Sequence, residues 1–207
     1  SKSWNKTIFT SQNGTQQNIG LGAYTYKMVH GKDFYLETKR RLEGSNQVYW
    51  VQQDVVDVMQ GLPNRIKTKS GDEYLANHVF DSRIDPDFFE EKGKYSYLKQ
   101  HFEGWVIETK EKVFYPDAFT MMDYRLVYPG TTSFTYILPF TPTQALVEYT
   151  FFSPDVVEKD VYKHYLNWYI KDFLKADDFK VLRTESGVIP MSDYPFHQYN
   201  NEYLTKI

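Results

Sequence analysis

The sixteen residues Leu138–Ser153, LPFTPTQALVEYTFFS, constrain this chain more than any other stretch. With the preceding TSFTYI they form two apolar runs joined by Thr141-Pro142-Thr143-Gln144, which reads as a β-hairpin. Side chains of a strand alternate between its faces. Ala145, Val147, Tyr149 and Phe151 therefore share one face, and Leu146, Glu148, Thr150 and Phe152 share the other. Both sets are mostly apolar, so the strand is expected to be covered on both sides. Glu148 then becomes a carboxylate in apolar surroundings, where burial disfavours the charged form and raises the pKa. Pairing with Arg125 or Arg183, a position on an edge strand, and a role in a site all remain open at this point.

The rest of the 207 residues is enough for one large domain or two small ones, and no composition shift marks a boundary. A formal charge of −3, with 24 basic and 27 acidic residues, gives no footprint for nucleic acid. The absence of cysteine excludes disulfides, thiolate metal sites and a cysteine nucleophile, and fits a reducing compartment. No apolar run approaches the ~18 residues that cross a bilayer, and SKSWNKTIFT lacks a signal-peptide pattern. A soluble or peripheral protein is expected. Aromatic content is high, 18%, which suits either a packed core or a pocket for a long unsaturated ligand.

Upstream of the hairpin the first thirty residues are polar, and only Ala23–Val29 reads as a strand. GKDFYLETKRRLE predicts a surface helix ending at Gly44. QVYWVQ, DVVDVM and EYLANHVF read as strands, with Ser70-Gly71-Asp72 as a turn. Residues 85–94 read as an acidic loop, and Gln100–Thr109 as a strand. FYPDAFTMMDYRLV is strand-like toward its end. Ser153-Pro154-Asp155 predicts a helix start, with a hydroxyl cap, proline and an acid in the first turn. Tyr162, Tyr165, Leu166, Tyr169, Ile170 and Phe173 recur at helical spacing through Leu174. FKVLRTESGVIPM reads as a strand and turn, followed by a polar tail. This pattern is α+β: an antiparallel sheet with one clear helix.

No G-x-S-x-G, H-E-x-x-H, P-loop or G-x-G-x-x-G motif is present, and Gly20-Leu21-Gly22 lacks the third glycine. Asp85-Pro86-Asp87 reads as a solvated acidic turn, not a metal site. The five histidines show no ligand spacing, and His101 reads as a structural residue beside aromatics. Asp123 and Arg125 share a face if their segment is a strand, as an ion pair or as part of a site. Trp105, Tyr124, Tyr136 and Phe140 read as core.

Five strings in order carry a resemblance: Q-H-F-E-G-W (100–105), M-D-Y-R (122–125), F-T-Y-I-L-P-F (134–140), A-L-V-E-Y-T-F-F-S (145–153) and E-S-G-V-I-P-M (185–191). Together they resemble the flavin-dependent lycopene cyclase family, well over residues 95–191 and loosely over 20–84. The resemblance implies a flavoprotein-hydroxylase-like parent, with a Rossmann part and an antiparallel substrate-binding sheet. Residues 1–207 would be the substrate-binding part, and 47–84 the meander returning to an FAD domain. EYLANHVFDSR resembles the strand that makes that return. The expected reaction closes a ring at the end of lycopene without net redox change, using reduced FAD. The family's glycine-rich FAD fingerprint is missing, so this chain is expected to be an internal fragment, inactive alone and unable to hold FAD unaided.

Leu146-Val147-Glu148-Tyr149-Thr150 aligns with the plant Phe-Leu-Glu-Glu-Thr motif, whose first Glu is regarded as essential. Glu148 is thus implied as the general acid, and Tyr149 replaces the second acid. Asp123 is expected as a supporting acid and Arg125 as its balancing partner. Trp105, Tyr124 and Phe140 are expected to line the polyene pocket. A cytoplasmic protein with peripheral membrane contact is implied by so apolar a substrate. A related prenyl reductase or hydroxylase, or a non-catalytic lipid- or pigment-binding module, is the alternative.

Overall fold

The hairpin lies in the middle of a large sheet. The computed structural model describes residues 2–84, 88 and 93–207. In chain order the first half runs β1 (Lys2–Trp4), β2 (Lys6–Thr10), β3 (Gln16–Gly20), β4 (Tyr26–Met28), α1 (Gly31–Glu43), β5 (Val55–Met59), β6 (Asn64–Thr68), β7 (Glu73–Ala76) and β8 (Val79–Asp81). The second half runs β9 (Tyr97–Thr109), β10 (Ala118–Asp123), β11 (Thr132–Thr141), β12 (Gln144–Ser153), α2 (Lys159–Trp168), β13 (Phe179–Ser192) and β14 (Leu204–Lys206). Two compact units result, Ser1–Phe34 with Tyr97–Met191, and Tyr35–Ser96 with Ser192–Ile207. The division falls inside α1, at no change in composition. No helix among the described residues is long and apolar enough to cross a membrane.

The first unit is built on a seven-stranded sheet in the order β13-β9-β12-β11-β10-β2-β3. β11, β12 and β9 pair antiparallel, and β10 pairs parallel with β2. Alternation sorts β12 as its sequence predicts. Ala145, Val147, Tyr149 and Phe151 enter one core with Tyr162, Leu166 and Ile170 of the helical segment. Leu146 enters a second core on the opposite face with Trp4, Val106, Phe119 and Leu138. The expected α+β architecture is the observed one. Pro139 is tolerated in a central strand because the β11–β12 register shifts beside it, and its carbonyl accepts the Trp4 indole N–H at 3.2 Å.

Several local expectations are corrected. The polar first thirty residues form four strands, of which β3 is exposed throughout. QVYWVQ is not a strand, and its Tyr49 and Trp50 are exposed. RIKT (65–68) lies in β6, the middle strand of a β5-β6-β7 meander, while EYLANHVF divides into β7 and β8. Strand character ends at Asp123, whose carboxylate accepts the Arg125 backbone N–H at 3.1 Å and turns the chain out of the sheet. Ser153 does not cap a helix. Its hydroxyl donates to the Asp155 carbonyl at 2.5 Å and meets His101 Nε2 at 2.8 Å, and α2 starts only at Lys159. The helical period continues through a π-helical turn, Tyr169–Phe173. No turn interrupts β13 at Ser186-Gly187. Gly187 instead admits the Phe102 ring, since a Cβ there would lie 2.8 Å from Phe102 Cζ.

His101 is a buried core residue, held by Tyr162 Oη at 2.5 Å and by Ser153, and burial lowers its pKa. In the second unit the turn at Gly71 has φ 94°, which glycine adopts without strain. In the polar C-terminal tail, β14 pairs parallel with β8. Buried Asn64 ties the meander to it by donating to the Tyr203 carbonyl at 3.0 Å. Asp85-Pro86-Asp87 lies outside the described residues, as does most of the acidic loop.

Phe151 is fully buried between β12 and α2 and packs against His101, Tyr149 and Tyr162. Phe151→Ala is expected to cost about 3–5 kcal/mol, seen as a lower urea midpoint. Val188→Ala on exposed β13 is expected to change stability by less than about 0.5 kcal/mol.

Candidate active site

The two faces of the sheet carry different chemistry. On the face covered by Trp4 and Tyr26, Glu148 is only partly exposed, and Thr150 Oγ1 donates to its Oε1 at 2.8 Å. Arg125 and Arg183 do not pair with it: the first binds Asp123 and the second approaches Glu185. Burial pushes the Glu148 carboxyl up to about 7. The charge of Glu185 adds to that shift, and the Thr150 hydrogen bond opposes it. Near neutral pH a large fraction of Glu148 therefore carries its proton.

Neighbouring strands complete the surroundings. Tyr136 of β11 stands opposite Glu148 in register, and Gly104 of β9 stands opposite it on the other side. The Tyr136 and Tyr26 hydroxyls are 2.7 Å apart. Burial, the Tyr26 hydrogen bond and the nearby acids hold the Tyr136 phenol far above its ordinary range, so it stays neutral. Tyr26 stacks on Phe119 with centroids 4.2 Å apart. Beside this core a groove of about 510 Å³ is lined by Met28, Val106, Phe140, His30 and Arg183. Of the expected pocket residues, Phe140 lines this groove, and Tyr124 sets its ring edge-on to Phe134, 5.6 Å between centroids.

Asp123, Arg125 and Trp105 do not join them. Asp123 is 1% exposed and lies on the helix-covered face. Arg125 Nε and Nη2 grip its carboxylate, and the Tyr169 hydroxyl donates to Oδ2 at 2.5 Å. The Arg125 guanidinium also lies 4.9 Å over the Phe173 ring. This is a latch between the end of β10 and the π-helical turn, beside a cavity of about 300 Å³. Trp105 packs in the helix-side core and donates to Glu103 at 2.7 Å. The two acids expected to work together are thus separated by the sheet. Glu185, Tyr26 and Gly104 were not singled out from the sequence as site residues. Only strand order brings them to Glu148, and strand order is not written in local spacing.

Neither Gly20-Leu21-Gly22 nor the start of α1 fits an FAD pyrophosphate. Gly20-Leu21-Gly22 leads into a turn closed by the Tyr24 N–H on the Leu21 carbonyl, not into a helix. α1 carries Asp33 in its first turn, where a phosphate would need the positive helix end to itself.

The family model described as lycopene cyclase protein matches residues 1–203. No curated protein matches the sequence. Similar solved structures include a geranylgeranyl bacteriochlorophyll reductase-like protein from Thermoplasma acidophilum, 11% identical with TM-score 0.64, covering all of this chain and 54% of that one. The halogenase PltM is 10% identical with TM-score 0.64, over 100% of this chain and 47% of its own. The flavin-dependent monooxygenase PieE, solved with FAD and substrate, is 13% identical with TM-score 0.58, over 99% and 40%. At such identities the likeness is one of fold. The chain spans roughly half the length of these structures or less.

Two measurements check the site. The native Glu148 pKa lies above the ordinary carboxylate value of 4.5, so the native state holds the extra proton between about pH 4.5 and 7. Its contribution to stability is present below that window and is lost as pH rises through it, by up to about 3 kcal/mol. Urea unfolding of Glu148→Gln is expected to lack this loss, so the variant gains on the parent between pH 5 and 8. Asp123→Asn breaks the latch and is expected to cost about 3–5 kcal/mol at neutral pH.

Proposed function

The chain belongs to the lycopene cyclase protein family, and on that premise we propose that it forms the proton-donating, substrate-binding part of a carotenoid cyclase. The observation that carries the proposal is Glu148, a carboxyl raised to about 7 on an apolar, aromatic-lined face. Glu148 gives its proton to a terminal C=C of lycopene. The π electrons of a neighbouring double bond close the ring onto the resulting cation, and loss of a proton from the ring restores neutrality. No electrons are gained or lost overall, which makes the reaction that of an isomerase or intramolecular lyase.

Such a reaction needs a donor that is protonated near working pH, a folded substrate, and surroundings that tolerate a cation without water. Glu148 meets the first need through desolvation. The groove at Phe140 is the proposed path of the polyene. The rings of Tyr26, Phe119, Phe134 and Tyr136 supply the aromatic faces, each worth ~0.5–2 kcal/mol to a cation lying over it. Asp123 has no part in this chemistry, because both its oxygens serve the latch on the other face. FAD belongs to the proposal as a cofactor of the full-length protein, and no step above depends on it. A cytoplasmic protein touching the membrane peripherally suits a substrate that dissolves there.

Glu148→Gln in the full-length protein is expected to lower ring formation from lycopene by at least about 100-fold, measured by chromatography of the pigments. Turnover near the parental level overturns the proposal. A full-length protein that forms no ring but oxidises flavin on a prenyl substrate points to the reductase reading instead.

A further inference from the structure

The lycopene cyclase resemblance places a second acid directly after the essential one, and this chain has Tyr149 there. Tyr149 cannot stand in for it. Alternation turns residue 149 to the helix-covered face, where the Tyr149 hydroxyl donates to the Leu126 carbonyl at 3.0 Å and meets Ser133 Oγ at 3.1 Å. A second carboxylate on the Glu148 face must come from another strand.

One does. Gly104 of β9 is the register partner of Glu148, and β13 lies on the far side of β9. A Cβ added at Gly104 would sit 3.4 Å from Glu148 Cβ, 3.2 Å from Glu185 Cγ and 3.0 Å from Leu146 Cδ1. The missing side chain is therefore the space across which two acids from non-adjacent strands approach each other. Glu148 and Glu185 both flank this gap.

We propose that Glu185 is a positioning carboxylate, reaching over Gly104 to keep the proton on Glu148 and to draw one back after ring closure. The inference rests on the reading of Glu148 as the proton donor. A negative charge on Glu185 across this gap disfavours the ionised form of Glu148. The same repulsion that holds the proton before reaction favours its recapture afterwards.

The other groups facing Glu148 leave that role to Glu185. β11 offers the neutral Tyr136 phenol, β4 reaches it through the Tyr26 hydroxyl, and β12 offers the Thr150 hydroxyl. β13 also carries a cation, Arg183, two residues from Glu185. It holds Glu185 only loosely, Nη2 to Oε2 at 3.5 Å, and shares itself with His30 Nδ1 at 3.4 Å. Arg183 thus moderates the negative charge of Glu185 without cancelling it.

The test is a carbon-13 carboxyl NMR titration of the full-length protein, with the Glu148 signal identified by its loss in Glu148→Gln. Glu185→Gln removes the like charge, so the Glu148 midpoint is expected to fall by about half a pH unit or more. Glu185→Asp, which keeps the charge, is expected to return part of that shift. Because Glu148 must be protonated to act, the alkaline limb of the cyclisation rate moves to lower pH by the same amount in Glu185→Gln. A Glu148 midpoint unchanged in Glu185→Gln overturns the inference. A shifted midpoint together with full turnover in Glu148→Gln keeps the coupling and removes the catalytic reading beneath it.

Discussion

Burial on both faces of β12 makes Glu148 unusual, and the site is arranged around that one desolvated carboxyl. A glutamate on an open strand would be ionised at neutral pH and would donate nothing. Here Leu146, Val106, Trp4 and Leu138 take water away from one face, while the helical segment closes the other with Tyr149 and Phe151. Both cores act on the acid, the nearer by raising its pKa and the farther by fixing the strand that carries it. Thr150 supplies a hydroxyl that softens the cost of burying the group.

The sheet also separates two polar constellations with different tasks. Asp123, Arg125 and Tyr169 form a closed ion pair and hydrogen-bond set, with every strong partner already taken by another. Such a set fixes where the helical segment docks on the end of β10. Glu148 has no ion-pair partner of this kind, and an acid left unneutralised on an apolar face is the one able to change its charge during a reaction. The difference between the two acids lies in their partners more than in their burial.

What the sequence disclosed follows from how local each feature is. The β11–β12 hairpin, the two faces of β12 and the helical period up to Phe173 were legible because period and turn chemistry act over a few residues. The helix start was misplaced because Ser153 is claimed by His101, a residue more than fifty positions earlier. Gly187 looked like a turn, but its job is to admit Phe102. β3 escaped notice because an edge strand facing water needs no apolar alternation, and β2 because its buried positions are the polar Thr7 and Thr10. Asp123 reads as a supporting acid because it too stands in one of the matching strings. Only the register, Asp123 opposite Thr135 and Glu148 opposite Tyr136, shows that they point to opposite faces. Gly104 and Glu185 became significant for the same reason.

In the proposed mechanism the exchangeable proton of Glu148 becomes part of the carotenoid ring. Cyclisation of lycopene by the full-length protein in D2O, followed by mass spectrometry of the product, tests it most directly. A deuterium is expected to be retained in each new ring, and both ring and label are expected to be lost in Glu148→Gln. An unlabelled cyclic product, or a labelled one formed as fast by Glu148→Gln, would contradict it.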